Sequence, residues 1–210
     1  NSAANPTLSA NGISITTGQL AADSASIIAS TGPVAITTDA RFRTTVAGLT
    51  GDLAFGQILA PNGPVTLTSF RNINGTGIET TGALSATSGG AIDITKTLAA
   101  SIAMTAATTL HIADLDTLTG AATLNATGAI TLDDATTAAA LTATSSGSNV
   151  TLSLGNIGGA LTLSAANNAL LGTVSAATGV AITAGGTITG TSIATTGAAA
   201  PLSLTAPSGI

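Results

Sequence analysis

The sequence predicts an all-β chain wound as a right-handed parallel β-helix, a β-solenoid of about ten coils of roughly 20 residues. Three observations carry that expectation. Apolar residues alternate with small or polar ones over short stretches, the stretches recur at near-constant spacing, and bulky side chains are scarce.

Alternation is the local signal. Ile13-Ser14-Ile15, Val34-Ala35-Ile36, Val65-Thr66-Leu67, Ile92-Asp93-Ile94, Leu110-His111-Ile112 and Ile130-Thr131-Leu132 are early instances. Val150-Thr151-Leu152, Leu161-Thr162-Leu163, Val180-Ala181-Ile182 and Leu202-Ser203-Leu204 complete the set. Period two places successive side chains on opposite faces of a strand, so one face is buried. Gly, Asn and Ser between these stretches supply turns.

Spacing turns the strands into coils. Leu110, Ile130 and Val150 are separated by 20 and 20 positions. Ala122, Leu141, Leu161, Val180 and Leu202 are separated by 19, 20, 19 and 22. The two series interleave with an offset of 11 or 12 positions. Two strands per repeat of this length make one turn of a solenoid, with equivalent aliphatics stacked along its axis. At about 4.8 Å per coil the rod is on the order of 50 Å long. The crossover rule makes the winding right-handed.

Composition supports a narrow core and excludes other classes. Charged residues are 6% of the chain, against about 25% in an ordinary domain. Phe42, Phe55 and Phe70 are the only aromatics. A mean hydropathy of +0.56 with a net charge of -5 lacks the signature of disorder. No apolar run approaches the roughly 18 residues of a membrane helix. Membrane barrels need strands of about 10 residues and aromatic girdles. The absence of Cys excludes disulfides and thiolate metal sites. Arg41, Arg43, Arg71 and Lys96 are too few basic groups for a nucleic-acid footprint. A first residue Asn1, with no visible signal peptide, suggests a processed product or a segment of something longer.

Residues 1–210 are expected to form one β-helix segment. Its stretch 37–82 breaks the rhythm, since Val34 and Val65 lie 31 positions apart. That stretch holds the three Phe and three Arg residues and is read as coils with an inserted loop or lateral elaboration. Residues 83–210 form the regular part, and no charged residue follows Asp134.

Candidate chemistry is sparse. His111 lies between two inward aliphatics, so alternation turns it to solvent, and no Gly-x-Ser-x-Gly elbow occurs. Asp114, Asp116, Asp133 and Asp134 cluster, and a step of 20 puts Asp134 one coil from Asp114. Stacked carboxylates need screening by water or a cation, and hard oxygens suit Ca²⁺. The competing reading is a solvated acidic turn, since neither an EF-hand loop nor a calcium nonapeptide is present. Arg41, Phe42 and Arg43, with Phe70 and Arg71, suggest a contact patch for an anionic glycan or a neighbouring subunit. Alternatively, their rings pack on the rod with the arginines in water. Thr-x-Thr occurs at Thr66/Thr68, Thr142/Thr144, Thr187/Thr189 and Thr189/Thr191. Regular outward Thr ranks match an ice lattice, but these are read as falling on different coil positions.

The recurring element at Gly128 to Leu132, Gly159 to Leu163 and Gly179 to Ile182, in coils near 20 residues, resembles the repeats of filamentous-haemagglutinin-like exoproteins and related large β-helical adhesins. The resemblance is compositional and periodic, and strongest from about residue 83. It implies a long right-handed β-helix displayed outside a Gram-negative cell after two-partner secretion, serving adhesion and biofilm formation. The secretion-recognition domain of that family is not recognisable here.

The expected role is therefore a non-enzymatic rod segment of a cell-surface adhesin or extracellular filament. It would stack on flanking coils or identical subunits, with no cofactor unless Ca²⁺ binds and no nucleic-acid or membrane partner. A glycan- or receptor-binding β-helix module is the alternative, and a polysaccharide-cleaving β-helix enzyme a weaker one.

Overall fold

From Leu53 onward each coil is built from one long strand and one short strand, and the strands between the two ends pair in parallel with their equivalents in the coils before and after. The computed structural model describes the backbone of residues 7–10, 13–15, 19–29, 34–48, 52–60 and 64–210. It describes side chains of residues 52, 53, 55–58 and 64–210. The chain is an all-β parallel solenoid with about eight turns of about 19 residues and no helix among the described residues. Over the stretch with described side chains the turns run from Leu53–Ala60 and Val65–Ser69 to Ile188–Thr195 and Leu202–Thr205. The ladder extends earlier at the level of the backbone. Ile13 pairs with Val34, and Val34 with Leu53. The expected ten coils are thus roughly consistent with the observed register.

Both sequence series reappear as columns. Leu110, Ile130 and Val150 are successive partners, as are Ala122, Leu141, Leu161, Val180 and Leu202. Ile130, Val150 and Leu161 are each 0% exposed. In the long strand Leu110–Thr117, Leu110, Ile112, Leu115 and Thr117 are buried, while Ala113 and Asp114 both face outward. Two consecutive outward residues mark a corner, and the pairing register passes over Ala113 and Asp133 there. The short strand Ala122–Ala126 buries Ala122, Leu124 and Ala126. Each coil therefore presents three short runs around one thin core.

The long strands Ile92–Ala99, Leu110–Thr117 and Ile130–Thr137 are strands because β-branched and aliphatic residues occupy every inward site. Burying one Leu or Ile side chain stabilises by about 1.5–3 kcal/mol. The core is thin, so its volume is balanced coil by coil. Leu115 shares a coil with Ala122, and in the next coil Ala135 accompanies Leu141. The buried Phe55 ring fills the space above its register partner Gly75, where a Cβ would collide with it. Such compensation is expected of an interior packed to crystal-like density.

Turns are held by side chains that replace missing ladder bonds. The residue before a long strand is often Asn or Asp. Asn72 donates its backbone N–H and its side-chain amide to Asp52 Oδ1, both at 3.0 Å. Asn72 Oδ1 accepts from Ala91 N–H at 2.8 Å. The same bond recurs from Asn168 N–H to Asn149 Oδ1 and from Thr187 N–H to Asn168 Oδ1, each 2.9 Å. Buried hydroxyls at strand ends do similar work. Thr117 Oγ1 donates to the Gly120 carbonyl at 2.8 Å and accepts from Ala138 N–H at 3.0 Å.

The broken rhythm between residues 37 and 82 has a simple source. Val34 and Val65 belong to different runs of the coil. Val34 stacks on Leu53, 19 positions on, whereas Val65 stacks on Thr44 in the second half of the strand Val34–Gly48. The strands Leu53–Ala60, Val65–Ser69 and Ile73–Thr80 carry the register onward. Within the stretch 37–82, read as coils with an inserted loop or lateral elaboration, residues 49–51 and 61–63 lie outside the described residues.

One core site departs from the pattern. Thr97 is 0% exposed, stands in register between Ile78 and Leu115, and its Oγ1 has no hydrogen-bond partner. An unsatisfied buried hydroxyl carries a desolvation cost of about 1–3 kcal/mol. Thr97→Val keeps the shape and removes that cost, so it should raise the unfolding free energy by roughly 0.5–2 kcal/mol. Urea titration followed by far-UV circular dichroism measures this, and a destabilised variant would contradict the placement of Thr97.

Candidate functional site

Most of the described charged side chains collect on the two runs of the long strands, over three consecutive coils. The long strands place Asp93 and Lys96 in one coil, His111, Asp114 and Asp116 in the next, and Asp133 and Asp134 in the third. Register stacks Asp93 under His111, and Lys96 under Asp114 under Asp134.

The expected stacking of Asp134 on Asp114 is present. Of the four aspartates, Asp114 and Asp116 face Lys96 and Asp133 faces His111. Lys96 Nζ lies 2.6 Å from Asp114 Oδ2 and 3.9 Å from Asp116 Oδ2. His111 Nδ1 lies 2.9 Å from Asp93 Oδ1, and its Nε2 lies 3.3 Å from Asp133 Oδ2. Lys96 in the preceding coil thus places a positive charge beside Asp114 and Asp116. Among the described residues no group of three or more His, Cys, Asp or Glu side chains is arranged to hold a metal ion. The partners were detectable in the sequence, because Asp93 to His111 and Lys96 to Asp114 are both steps of 18, one coil.

These groups shift each other. Burial acts to lower the His111 pKa, but hydrogen bonds to Asp93 and Asp133 and their charges outweigh it, so His111 sits above its ordinary value. Burial raises Asp116, helped by Asp114 and Asp134 and opposed by Lys96. The hydrogen bond to Asp114, with that carboxylate's charge, raises Lys96. Exposed ion pairs of this kind contribute little to stability. Both ring nitrogens of His111 have acidic partners.

Arg41, Phe42 and Arg43 lie in the strand Val34–Gly48, where Arg41 pairs with Ala21 and with Leu59. Their side chains lie outside the described residues. Arg43 directly precedes Thr44, where the short run of that coil begins. Phe70 and Arg71 follow Ser69, at the far end of the next short run. Phe70 is 68% exposed, and Arg71 is exposed too. The two segments are thus divided by the length of a short run, roughly 15 Å at about 3.3 Å per residue.

The short strands form the third face, and its outward residues line up in two columns. Thr66, Ser85, Ala103, Thr123, Thr142, Thr162, Ala181 and Ser203 form one. Thr68, Thr87, Thr105, Asn125, Thr144, Ser164, Thr183 and Thr205 form the other. All are exposed or partly exposed. The expectation that the Thr-x-Thr pairs fall on different coil positions holds for Thr187/Thr189 and Thr189/Thr191, which lie at the long strand Ile188–Thr195, but not for the other two. Thr66/Thr68 and Thr142/Thr144 occupy the same position of their coils. Sequence reading missed the columns because Ser, Ala and Asn interrupt the pattern, and only the pairing register shows them to be equivalent.

Protonation of His111 is favoured by folding, so its contribution is complete below about pH 6.5 and is lost as pH rises through the folded pKa. Asp116 carries the same sign at lower pH. Thermal melts taken from about pH 8 down to about pH 6 should therefore show stabilisation on acidification in the unaltered chain. His111→Gln should remove that rise, and an unchanged pH profile in the variant would contradict the His111 assignment.

No family model, curated protein or solved structure matches this chain.

Proposed function

We propose that this chain is a structural rod segment that extends by stacking further coils of the same type, as the repetitive part of a surface adhesin or extracellular filament. The observation that carries the reading is the parallel register that runs unbroken through about eight turns of long and short strands. Among the described residues the last strands, Ile188–Thr195 and Leu202–Thr205, have their strand partners in the preceding coil. Leu202, at an inward column position, is 52% exposed, and Ile193, Leu204 and Ala206 are only partly covered. A further coil of the same type laid on this edge would pair these strands and cover these aliphatics.

The segment after the last strand already follows the stacking rule. Ile188 N–H donates to the Gly209 carbonyl at 3.1 Å, and Ser208 N–H donates to the Gly186 carbonyl at 3.2 Å. The equivalent bond from Val150 N–H to the Asn168 carbonyl sets Ala169 over Val150. By that rule Ile210, 74% exposed, stands in the column above Ile188.

The repetitive, charge-poor wall supports a non-catalytic role outside the cell, where a long solenoid spans distance without a thick core. The Gly128 to Leu132 type repeats supply the adhesin-like component of the reading. Glycan or receptor binding at Phe70 and Arg71 is the second reading, motivated by an exposed aromatic beside a cation.

End-to-end stacking makes a direct prediction. In sedimentation velocity across a dilution series, the chain should form rods that lengthen with concentration. Leu202→Asp with Leu204→Asp should return it to single rods with unchanged circular dichroism. A chain that stays monomeric at every concentration, or a variant that associates as before, would overturn the stacking account.

A further inference from the structure

The short-strand face is chemically unlike the rest of the wall. Among the described residues every charged side chain lies outside the short strands. The two columns instead carry hydroxyls at all positions except Ala103, Asn125 and Ala181. The hydroxyls are also unoccupied. On the other faces charged groups interrupt the wall and engage one another, as Lys96 does Asp114 and His111 does Asp93. No side chain of the two columns makes a hydrogen bond within the described chain.

Geometry makes the face a grid. Equivalent residues in neighbouring coils are separated by the strand spacing of about 4.8 Å, and the two columns by two residues, about 6.7 Å. Because the pairing runs in register through eight successive short strands, the same rectangle repeats along the axis. Thr adds a methyl beside each hydroxyl, and its branched Cβ restricts χ1.

An aperiodic partner gains nothing from identical rectangles. A flat sugar surface favours aromatic platforms, and this face has none. A crystalline ligand uses every cell at once, so weak contacts add along the rod. The prism faces of hexagonal ice repeat their oxygen positions at spacings close to both edges of this rectangle. A grid of free hydroxyls and methyls, without charges to hold a disordered hydration shell, orders water in the same pattern.

We propose that the face formed by the short strands binds ice, with the two hydroxyl columns as its contact lattice. Binding needs no assembly, because each rod carries the whole grid.

The test uses the full chain, fluorescently labelled, with polycrystalline ice as the probe. Ice grown slowly on a cold finger should incorporate the unaltered chain, and single ice crystals should be shaped by it. Thr123→Lys with Thr142→Lys should be excluded from the ice while keeping its circular dichroism. Thr131→Lys with Thr151→Lys, on the long-strand face, should be incorporated as before. Should the first pair prevent folding, Thr142→Leu with Thr144→Leu gives the same readout. The Leu202→Asp and Leu204→Asp chain should still enter ice, which separates this proposal from end-to-end stacking. Exclusion of the unaltered chain, or incorporation of the Thr123 and Thr142 variant at the unaltered level, would overturn it. Loss of incorporation in the Leu202 and Leu204 variant would also overturn it, by assigning the effect to assembly.

Discussion

The ladder hydrogen bonds of each coil are made to the coils on either side, and everything else in the molecule follows from that dependence. Coil register is fixed by inward aliphatics, because a slip of one residue would turn Leu110, Ile130 and Val150 to water together. Once register is fixed, every outward position becomes a column. The wall is a set of repeated chemical rows, and the properties of a row belong to the stack more than to any one residue. Stability is distributed in the same way, as a sum of coils and their interfaces.

The thin core explains why so few large side chains suffice. A coil needs seven inward sites at most, and Ala, Ser and Thr fill several of them, as Ala122, Ala126 and Thr117 do in one coil. Hydroxyls near the corners can be buried because turn carbonyls accept from them, as the Gly120 carbonyl does from Thr117. The same economy makes the structure sensitive to local volume, as the pairing of Phe55 with Gly75 shows.

Much of this was legible in the sequence, and the limits have physical causes. The columns through Leu110 and Leu141 were visible because their inward sites are aliphatic from Leu53 and Val65 onward. The coil at Val34 was harder to place, because its two runs form one continuous strand, Val34–Gly48, with no turn residues to separate them. The aspartate cluster was visible, but its partners Lys96 and His111 were overlooked because they meet Asp114 and Asp133 only through the coil step. The outward hydroxyl columns were hidden because substitution among Thr, Ser, Ala and Asn costs little on an exposed sheet face. Such a row keeps its geometry while losing its sequence motif.

The central claim is the axial rise per coil, and double electron–electron resonance measures it directly. Cysteines placed at Ser85 and Ala181 stand five coil steps apart in one column, about 24 Å at the strand spacing. Moving the second label to Ser203 adds one step, to about 29 Å. Narrow distance distributions that lengthen by one strand spacing between these pairs are the expected result. Broad distributions, or a change unrelated to the coil step, would contradict the stacked tube and the functions drawn from it.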